Sequence, residues 1–253
     1  MSLVEEKLAK SLTARSTKLI PYLPYLLQDL WELGSIPKDV ISLASRHIDV
    51  SKNTQILDLG CGKGAVSISL ARTFGCQVKG IDMIPEFIEF SRNKAKEYRV
   101  EHLCKFKIED INRSIQQERN YDLVVFSSVG DVLGNWNTTL LKLKKTIKQS
   151  GYILIDEGFF EVENNEDYPT KERWLEIFRE SGVKRIDEIV LDDCELANTN
   201  QKQQSYIVKR ANELKQKHPD KSDLFESYIQ SQQAECDELE RDMTGVTWLL
   251  QAI

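Results

Sequence analysis

The chain has 253 residues, of which 29% are charged and 41% hydrophobic, with only 12 glycines and 6 prolines. This composition excludes a collagen-like, low-complexity or wholly disordered chain. The net charge is −6, and the sequence shows no basic stripe of the kind that duplex-binding proteins carry, which disfavours nucleic acid as a partner. Five scattered cysteines without a C-x-x-C pair, and no apolar run of about 20 residues, predict a cytoplasmic protein with no membrane segment.

Residues 1–49 are predicted to form an N-terminal helical cap. An aromatic run there contains Tyr22, Tyr25 and Trp31. These side chains suit either an aromatic wall of a substrate pocket or ordinary packing between helices, and the sequence leaves both interpretations open.

Short apolar runs alternate with helical patterns through the next segment, 50–194, which is predicted to be a cofactor-binding core. Strands are predicted at 55–59, 77–82, 106–108, 123–126, 152–155 and 184–191. The spacing of Leu140, Leu143 and Ile147 predicts a helix that Gly151 ends. Strands alternating with helices indicate a parallel sheet covered on both faces, so the fold class is a doubly wound α/β core.

The segment 195–242 is rich in Gln, Lys and Glu and interrupts this alternation. Apolar spacing predicts two helices separated by a break at His218-Pro219-Asp220. A lid over the active site, an arm of a homodimer and a solvated helix pair are all compatible with the pattern. The final run, 243–253, is predicted to be the last strand of the core.

The strongest motif is Asp58-Leu-Gly60-Cys61-Gly62-Lys-Gly64, at the exit of the first strand. Glycines let the backbone turn sharply and approach a ligand, with N–H groups exposed at a helix N-terminus. The motif also satisfies the dinucleotide fingerprint G-x-G-x-x-G/A, so NAD remains an alternative. Asp82 ends the second strand, 22 residues after Gly60, where it is placed to bind a ribose diol in either case.

Two further acids distinguish these cofactors. Asp58 precedes the glycines, where a negative charge favours a cofactor that carries an ammonium and a sulfonium over a pyrophosphate. Asp110 closes the third strand, placed to meet an adenine amino group, with Ile111 offering apolar contact. Three carboxylates on successive strand ends favour S-adenosylmethionine.

At these residues the sequence resembles the class I S-adenosylmethionine-dependent methyltransferases, especially their small-molecule (UbiE-like) branch. The resemblance implies a Rossmann-like, mostly parallel seven-stranded sheet whose last strand is antiparallel. It implies that Asp82 holds the ribose hydroxyls, that Met83 and Ile111 enclose the adenine and that Asp110 bonds its amino group. The further cofactor positions that follow from the motif and the resemblance are Asp58, Gly60, Cys61, Gly62 and Gly64 at the methionine end and Ser127 near the transferable methyl group.

The predicted function is transfer of a methyl group to a small-molecule acceptor by in-line displacement. Candidate acceptor contacts are Asp131, Trp136 and Glu157, in addition to the N-terminal aromatic residues. Glu157 belongs to an Asp156-Glu157 pair at the carboxyl edge of the predicted sheet, and no general base is assigned. The three histidines lack ligand spacing, so no metal site is predicted. Methylation of a protein or RNA, and a non-catalytic module that binds S-adenosylmethionine, are the alternatives.

Overall fold

The computed structural model describes residues 3–161 and 169–253. The chain forms two compact units, one of Met1–Trp31 with Leu191–Thr244 and one of Glu32–Val190 with Gly245–Ile253. The segment 32–49, which the sequence analysis grouped with the N-terminal cap, therefore belongs to the unit that contains the sheet.

A seven-stranded sheet is formed by the described residues of the chain, in the order β3-β2-β1-β4-β5-β7-β6. Strands β1 to β5 pair in parallel, and β7 runs antiparallel to β6. The predicted fold class is confirmed. The strands are β1 (Gln55–Leu59), β2 (Gln77–Asp82), β3 (Cys104–Ile108), β4 (Tyr121–Ser127), β5 (Ile147–Phe160), β6 (Val183–Val190) and β7 (Met243–Ala252).

Helices connect the parallel strands, as crossover connections require. Several begin at a residue whose side chain accepts an N–H from the first turn, as Asn135, Thr170 and Asp192 do. The helices are α1 (Leu3–Ser11), α2 (Leu23–Leu26), α3 (Pro37–His47), α4 (Ala65–Phe74), α5 (Pro85–Glu97), α6 (Ile111–Ser114), α7 (Trp136–Lys144), α8 (Lys171–Glu180), α9 (Asp193–Lys217) and α10 (Ser222–Arg241). Short 3-10 turns occupy Thr17–Tyr22, Gly130–Leu133 and Pro219–Lys221.

The first compact unit is built around the α9–α10 hairpin. The predicted break between these helices is present, because Pro219 opens a short 3-10 turn there. The ring of Tyr22 packs edge-on against Phe225 with ring centroids 5.0 Å apart, and its hydroxyl accepts a hydrogen bond of 2.7 Å from Lys221. The hydroxyl of Tyr25 donates to Glu213 at 2.6 Å. Both tyrosines thus stabilise the packing of this unit.

The core of the second unit contains an aromatic cluster. Trp174 and Trp248 lie 4.9 Å apart between ring centroids, and both are almost fully buried. Trp136 packs 4.7 Å from Trp174, so a large part of its surface contributes to the core. Trp174 belongs to α8, a helix that the sequence analysis did not predict.

The prediction that Ile147 lies in a helix is wrong. Helix α7 ends at Lys144, and Ile147 is the first residue of β5, where it pairs with Tyr121. The register between β4 and β5 shifts between Tyr121 and Leu123, which accommodates the extra residues before Gly151. Ile147 still belongs to the core, since only 9% of its surface is exposed, but it reaches the core from a strand and not from a helix.

A substitution in β2 tests how tightly the sheet packs beneath the glycine motif. A Cβ at Gly80 would lie 2.7 Å from Cδ1 of Phe106 and 2.9 Å from Sγ of Cys61. We expect Gly80→Ala to lower the free energy of unfolding by about 1–3 kcal/mol, through overpacking. Phe106→Leu should relieve part of this loss, which a double-mutant cycle by urea denaturation measures directly.

Gly75→Ala serves as the control for this prediction. Gly75 has φ of +67°, but no described atom lies within 4 Å of the added Cβ. Its cost of about 1–2 kcal/mol therefore comes from the left-handed backbone alone. Equal coupling of Phe106→Leu to both glycine variants would contradict the packing account.

Candidate functional site

The glycine motif forms a tight loop between β1 and α4. Gly60, Gly62 and Gly64 have φ values of +73°, +50° and +74°, a region that favours glycine. The N–H of Gly60 donates to the carbonyl of Ile81 at 2.8 Å, which ties the loop to β2. A Cβ at Gly60 would lie 2.7 Å from Cγ2 of Val129, so the loop after β4 approaches the backbone directly. These glycines create a concave backbone cradle at the carboxyl edge of the sheet.

Asp82 orients this loop from the end of β2. Its Oδ2 accepts from the N–H of Gly62 and its Oδ1 from the N–H of Ile84, both at 2.9 Å. Burial raises the pKa of the carboxyl, while these N–H groups and that of Met83 moderate the rise. Each carboxylate oxygen can accept a second hydrogen bond, so the group retains capacity for ligand hydroxyls.

Asp58 lies next to Asp82 on the neighbouring strand, almost completely buried. The hydroxyl of Ser67 donates to its Oδ2 at 2.5 Å. Burial raises the pKa of Asp58 to about 7, the Ser67 hydrogen bond opposes this rise and the charge of Asp82 adds to it. Two acids held close together in a buried position form an environment that favours a cationic ligand.

The other residues that the sequence predicts as cofactor contacts follow the ends of β1, β2 and β3. Asp110 caps α6, and its Oδ1 accepts from the backbone N–H and the side-chain amide of Asn112, at 2.8 and 3.1 Å. Ile111 is 6% exposed and belongs to the core, whereas Met83 is half-buried. The pKa of the Cys61 thiol is raised by burial and by the charges of Asp58 and Asp82, so the thiol is neutral.

A second group of acids lies where β4 ends, on the part of β5 that pairs with the last residue of β4. Ser127 and Asp156 are register partners on these strands. Burial raises the pKa of Asp156 to about 7, while the Ile36 N–H and nearby hydroxyls moderate the rise. Burial raises that of Glu157 to about 8, with the negative charges of Asp156 and Asp131 adding to it. The structure thus brings three of the predicted positions, Ser127, Asp131 and Glu157, to one strand edge.

Other predicted acceptor contacts lie elsewhere in the chain. Tyr22, Tyr25 and Trp31 belong to the first compact unit, and Trp136 packs into the aromatic core of the second. Their contribution to an acceptor pocket stays a prediction.

The sequence analysis missed several residues that shape the site. Ser67 lies on α4, nine residues after Asp58, and only the helical fold brings its hydroxyl to that carboxylate. The segment before and within α3 also reaches the strand edge, since the Ser35 hydroxyl donates to the carbonyl of Ser127 at 3.3 Å and the charge of Asp39 acts on Asp156. No sequence signal for these long-range contacts was present. Lys63, between two motif glycines, is also buried: it is 3% exposed, with its ammonium 4.8 Å from the Phe90 ring centroid.

The residues present fit S-adenosylmethionine. The glycine cradle has no room for side chains, Asp58 and Asp82 provide a buried acidic environment for a cation, and Asp82 retains acceptor capacity for a diol. A dinucleotide pyrophosphate would instead be repelled by Asp58. Among the described residues, no group of His, Cys, Asp or Glu side chains is arranged to hold a metal ion.

A family model described as a methyltransferase domain matches residues 50–212, well over half of the chain. The chain belongs to this methyltransferase family. S-adenosylmethionine is the cofactor of the family, which confirms that prediction, while the narrower UbiE-like branch stays a prediction.

Curated relatives of this methyltransferase match over its core. The ribosomal protein L11 methyltransferase of Dictyoglomus thermophilum is 27% identical over 118 residues, covering 47% of this chain and 37% of the relative. The ubiquinone biosynthesis O-methyltransferase of Rickettsia akari is 32% identical over 114 residues, covering 44% and 41%. The matches therefore span well under half the length of these relatives.

A solved structure shows the same fold over most of the chain. It is an S-adenosylmethionine-dependent methyltransferase from Thiobacillus denitrificans in complex with S-adenosylhomocysteine, with a TM-score of 0.76 and 17% identity. The alignment covers 92% of this chain and 98% of the other. At this identity the likeness shows the fold alone.

Within the described residues, no helix is long and apolar enough to cross a membrane.

Proposed function

We propose that this protein is an S-adenosylmethionine-dependent methyltransferase that acts on a small-molecule acceptor. The observation that carries the proposal is the pair of carboxyl groups, the buried Asp58 and the half-buried Asp82, at the ends of β1 and β2 beside the glycine cradle. Such a pair suits a ligand with a positive charge and a ribose diol, and it opposes a pyrophosphate.

Each predicted cofactor residue has a role in this proposal. Asp82 binds the ribose hydroxyls, and Asp110 uses its Oδ2 for the adenine amino group, since both Asn112 donors reach Oδ1. Met83 and Ile111 provide apolar contacts to the adenine. The methionine end is assigned to Asp58, Gly60, Cys61, Gly62 and Gly64, and Ser127 lies beside the methyl group. When bound, the cofactor supplies an electrophilic methyl group on a sulfonium.

The chain's own contribution to the reaction is to position the acceptor and to exclude water. An in-line displacement depends on alignment of the nucleophile, which a rigid strand edge provides. The segment 33–39 supports this, because Ser35 contacts Ser127 at the end of β4 and Ile36 contacts Asp156 on β5, which helps to close that edge. A base is needed only when the acceptor must lose a proton.

A small-molecule acceptor is favoured over RNA or an acidic protein by the partners of the basic residues in 195–242. Arg210 forms a two-point ion pair with Asp29, and Lys215 pairs with Glu226. Lys217 and Lys221 contact the rings and hydroxyls of Tyr25 and Tyr22. These four cations are therefore engaged in contacts within the first unit.

Calorimetric titration and labelling test the proposal. We expect saturable binding of S-adenosylhomocysteine and none of NAD at the same concentrations. The protein incubated with cofactor carrying a radiolabelled methyl group and with a metabolite extract should label low-mass compounds. Label found only on RNA or protein would refute the small-molecule acceptor. Cofactor binding without turnover of any component would favour a non-catalytic module, and binding of NAD alone would refute the proposal.

A further inference from the structure

Three buried oxygen atoms, one at the end of β4 and two on the neighbouring part of β5, have no hydrogen-bond partner among the described residues. They are Oγ of Ser127, Oδ2 of Asp156 and Oε1 of Glu157. Ser127 is 7% exposed, and it lies beside Asp156 in the sheet register. Its hydroxyl is close enough to Asp156 to moderate the pKa of that carboxyl. We call Ser127, Asp156 and Glu157 the acid pocket.

Buried polar atoms in folded proteins are nearly always paired, because an unmet acceptor costs about 1–3 kcal/mol. In the described residues only five buried side-chain oxygens lack a partner, and three of them are in the acid pocket. Such a concentration at the carboxyl edge of a parallel sheet, where ligands bind in this fold, indicates that a ligand supplies the missing donors.

The charges around the acid pocket are negative on each side that contacts it. Asp39 of α3 acts on Asp156, and Asp131 of the turn after β4 acts on Glu157. The neutral neighbours are the N–H groups of Ile36 and Gly130 and the hydroxyl of Thr247 on β7. Among the ion pairs of the described residues, none joins a lysine, arginine or histidine to Asp156 or Glu157. A bound cation would provide the missing counter-charge.

We propose that the acid pocket binds the amino group of the methyl acceptor, which makes the protein an N-methyltransferase of small amines. This inference rests on the proposed function. An ammonium group offers a positive charge and up to three N–H donors to three oxygen atoms that lack a partner, two of which belong to carboxyl groups that a bound cation would ionise. A hydroxyl acceptor offers one donor and no charge, and a carboxylate acceptor would be repelled.

Glu157 has a chemical role in this reaction as well as a binding role. An amine arrives protonated, and its nitrogen has no lone pair until a proton leaves. The carboxylate of Glu157 takes that proton. The nitrogen lone pair then forms the N–C bond to the methyl group, and the electron pair of the broken S–C bond stays on sulfur. Because burial raises the pKa of Glu157 to about 8, the transfer is less unfavourable than it would be to an ordinary carboxylate.

Binding measurements test the pocket without turnover. Protein saturated with S-adenosylhomocysteine is titrated with propylammonium and benzylammonium, and with 1-propanol and benzyl alcohol as neutral molecules of the same shape. We expect the ammonium ions to bind at least tenfold more tightly than the alcohols at pH 8. Binding at pH 7 should release protons, because a cation favours the ionised carboxylates, and calorimetry in buffers of different ionisation enthalpy measures that release.

Glu157→Gln and Asp156→Asn should each reduce ammonium affinity at least tenfold and abolish part of the proton release. Asp122→Asn is the matched control, because Asp122 lies at the amino end of β4, where it accepts from Gln55 and pairs with Lys148. Ammonium ions that bind no better than the alcohols, or equally well to all three variants, would overturn the inference. Failure of S-adenosylhomocysteine to bind would instead overturn the proposed function.

The labelled products give an independent test. N-methylated amines remain cationic at pH 5 and resist alkaline hydrolysis, so the label from a metabolite extract should be retained on a cation exchanger and survive base. Label confined to neutral or anionic products, or released by base as methanol, would overturn the inference while leaving methyl transfer to a small molecule intact.

Discussion

Asp82→Ala is expected to weaken the binding of S-adenosylhomocysteine by more than about 100-fold. In the proposed complex, the substitution removes two hydrogen bonds that the ribose hydroxyls donate to the carboxylate, each worth about 1.5–3 kcal/mol. It also leaves the N–H groups of Gly62 and Ile84 without the acceptors that now hold them at 2.9 Å. The glycine loop therefore loses its attachment to β2 at the position where the cofactor is proposed to bind.

Two further variants separate these contributions. Asp82→Asn keeps one oxygen acceptor and should fall between wild type and Asp82→Ala in calorimetric titration. Asp122→Asn makes the same chemical change at the opposite edge of the sheet, where Asp122 accepts the Gln55 N–H at 2.8 Å. We expect it to leave cofactor affinity within about threefold of wild type, since it is remote from the site. Equal losses in Asp82→Ala and Asp122→Asn would mean that general destabilisation, and not a ribose contact, explains the effect.

The placement of the residues proposed to bind the cofactor could be predicted from the sequence, because these residues lie in or directly after local motifs. The glycine motif lies within seven residues, and strand ends in a parallel sheet meet at one edge whatever the details of packing. Asp58, Asp82 and Asp110 each follow or end a recognisable apolar run, so their placement required only the order of the strands.

The acceptor side depended on contacts between distant segments. The approach of Ile36 and Asp39 to Asp156 joins residues more than a hundred positions apart, and no local pattern encodes it. The pairing of Ser127 with Asp156 required the register of β4 and β5. That register contains a shift near Tyr121, the residue that pairs with Ile147. The spacing of Ile147 from Leu140 and Leu143 is helical and so predicts a helix, but the pairing with β4 makes Ile147 the first residue of β5.

Removing the Glu157 carboxylate is expected to change how the stability of the ligand-free protein depends on pH. The folded protein holds a proton on Glu157 up to about pH 8, whereas the unfolded chain releases it near its ordinary pKa of about 4.3. The stabilising contribution of this proton is complete at low pH and is lost as pH rises through that window. Relative to wild type, Glu157→Gln should therefore gain about 3 kcal/mol between pH 5 and pH 8, allowing for water entry.

Urea denaturation at intervals from pH 5 to pH 8 measures this difference. Glu109→Gln is the control, because its hydrogen bonds to Lys107 and Ser114 lower the pKa of Glu109, so that its carboxylate is ionised in both folded and unfolded states across the window. Its difference from wild type should be flat. The double variant Asp156→Asn/Glu157→Gln should gain less than the sum of the single variants, because the charge of Asp156 contributes to the raised pKa of Glu157. Parallel curves for wild type and Glu157→Gln would show that Glu157 is already ionised at neutral pH. They would also remove the reason for assigning it the proton of an acceptor ammonium.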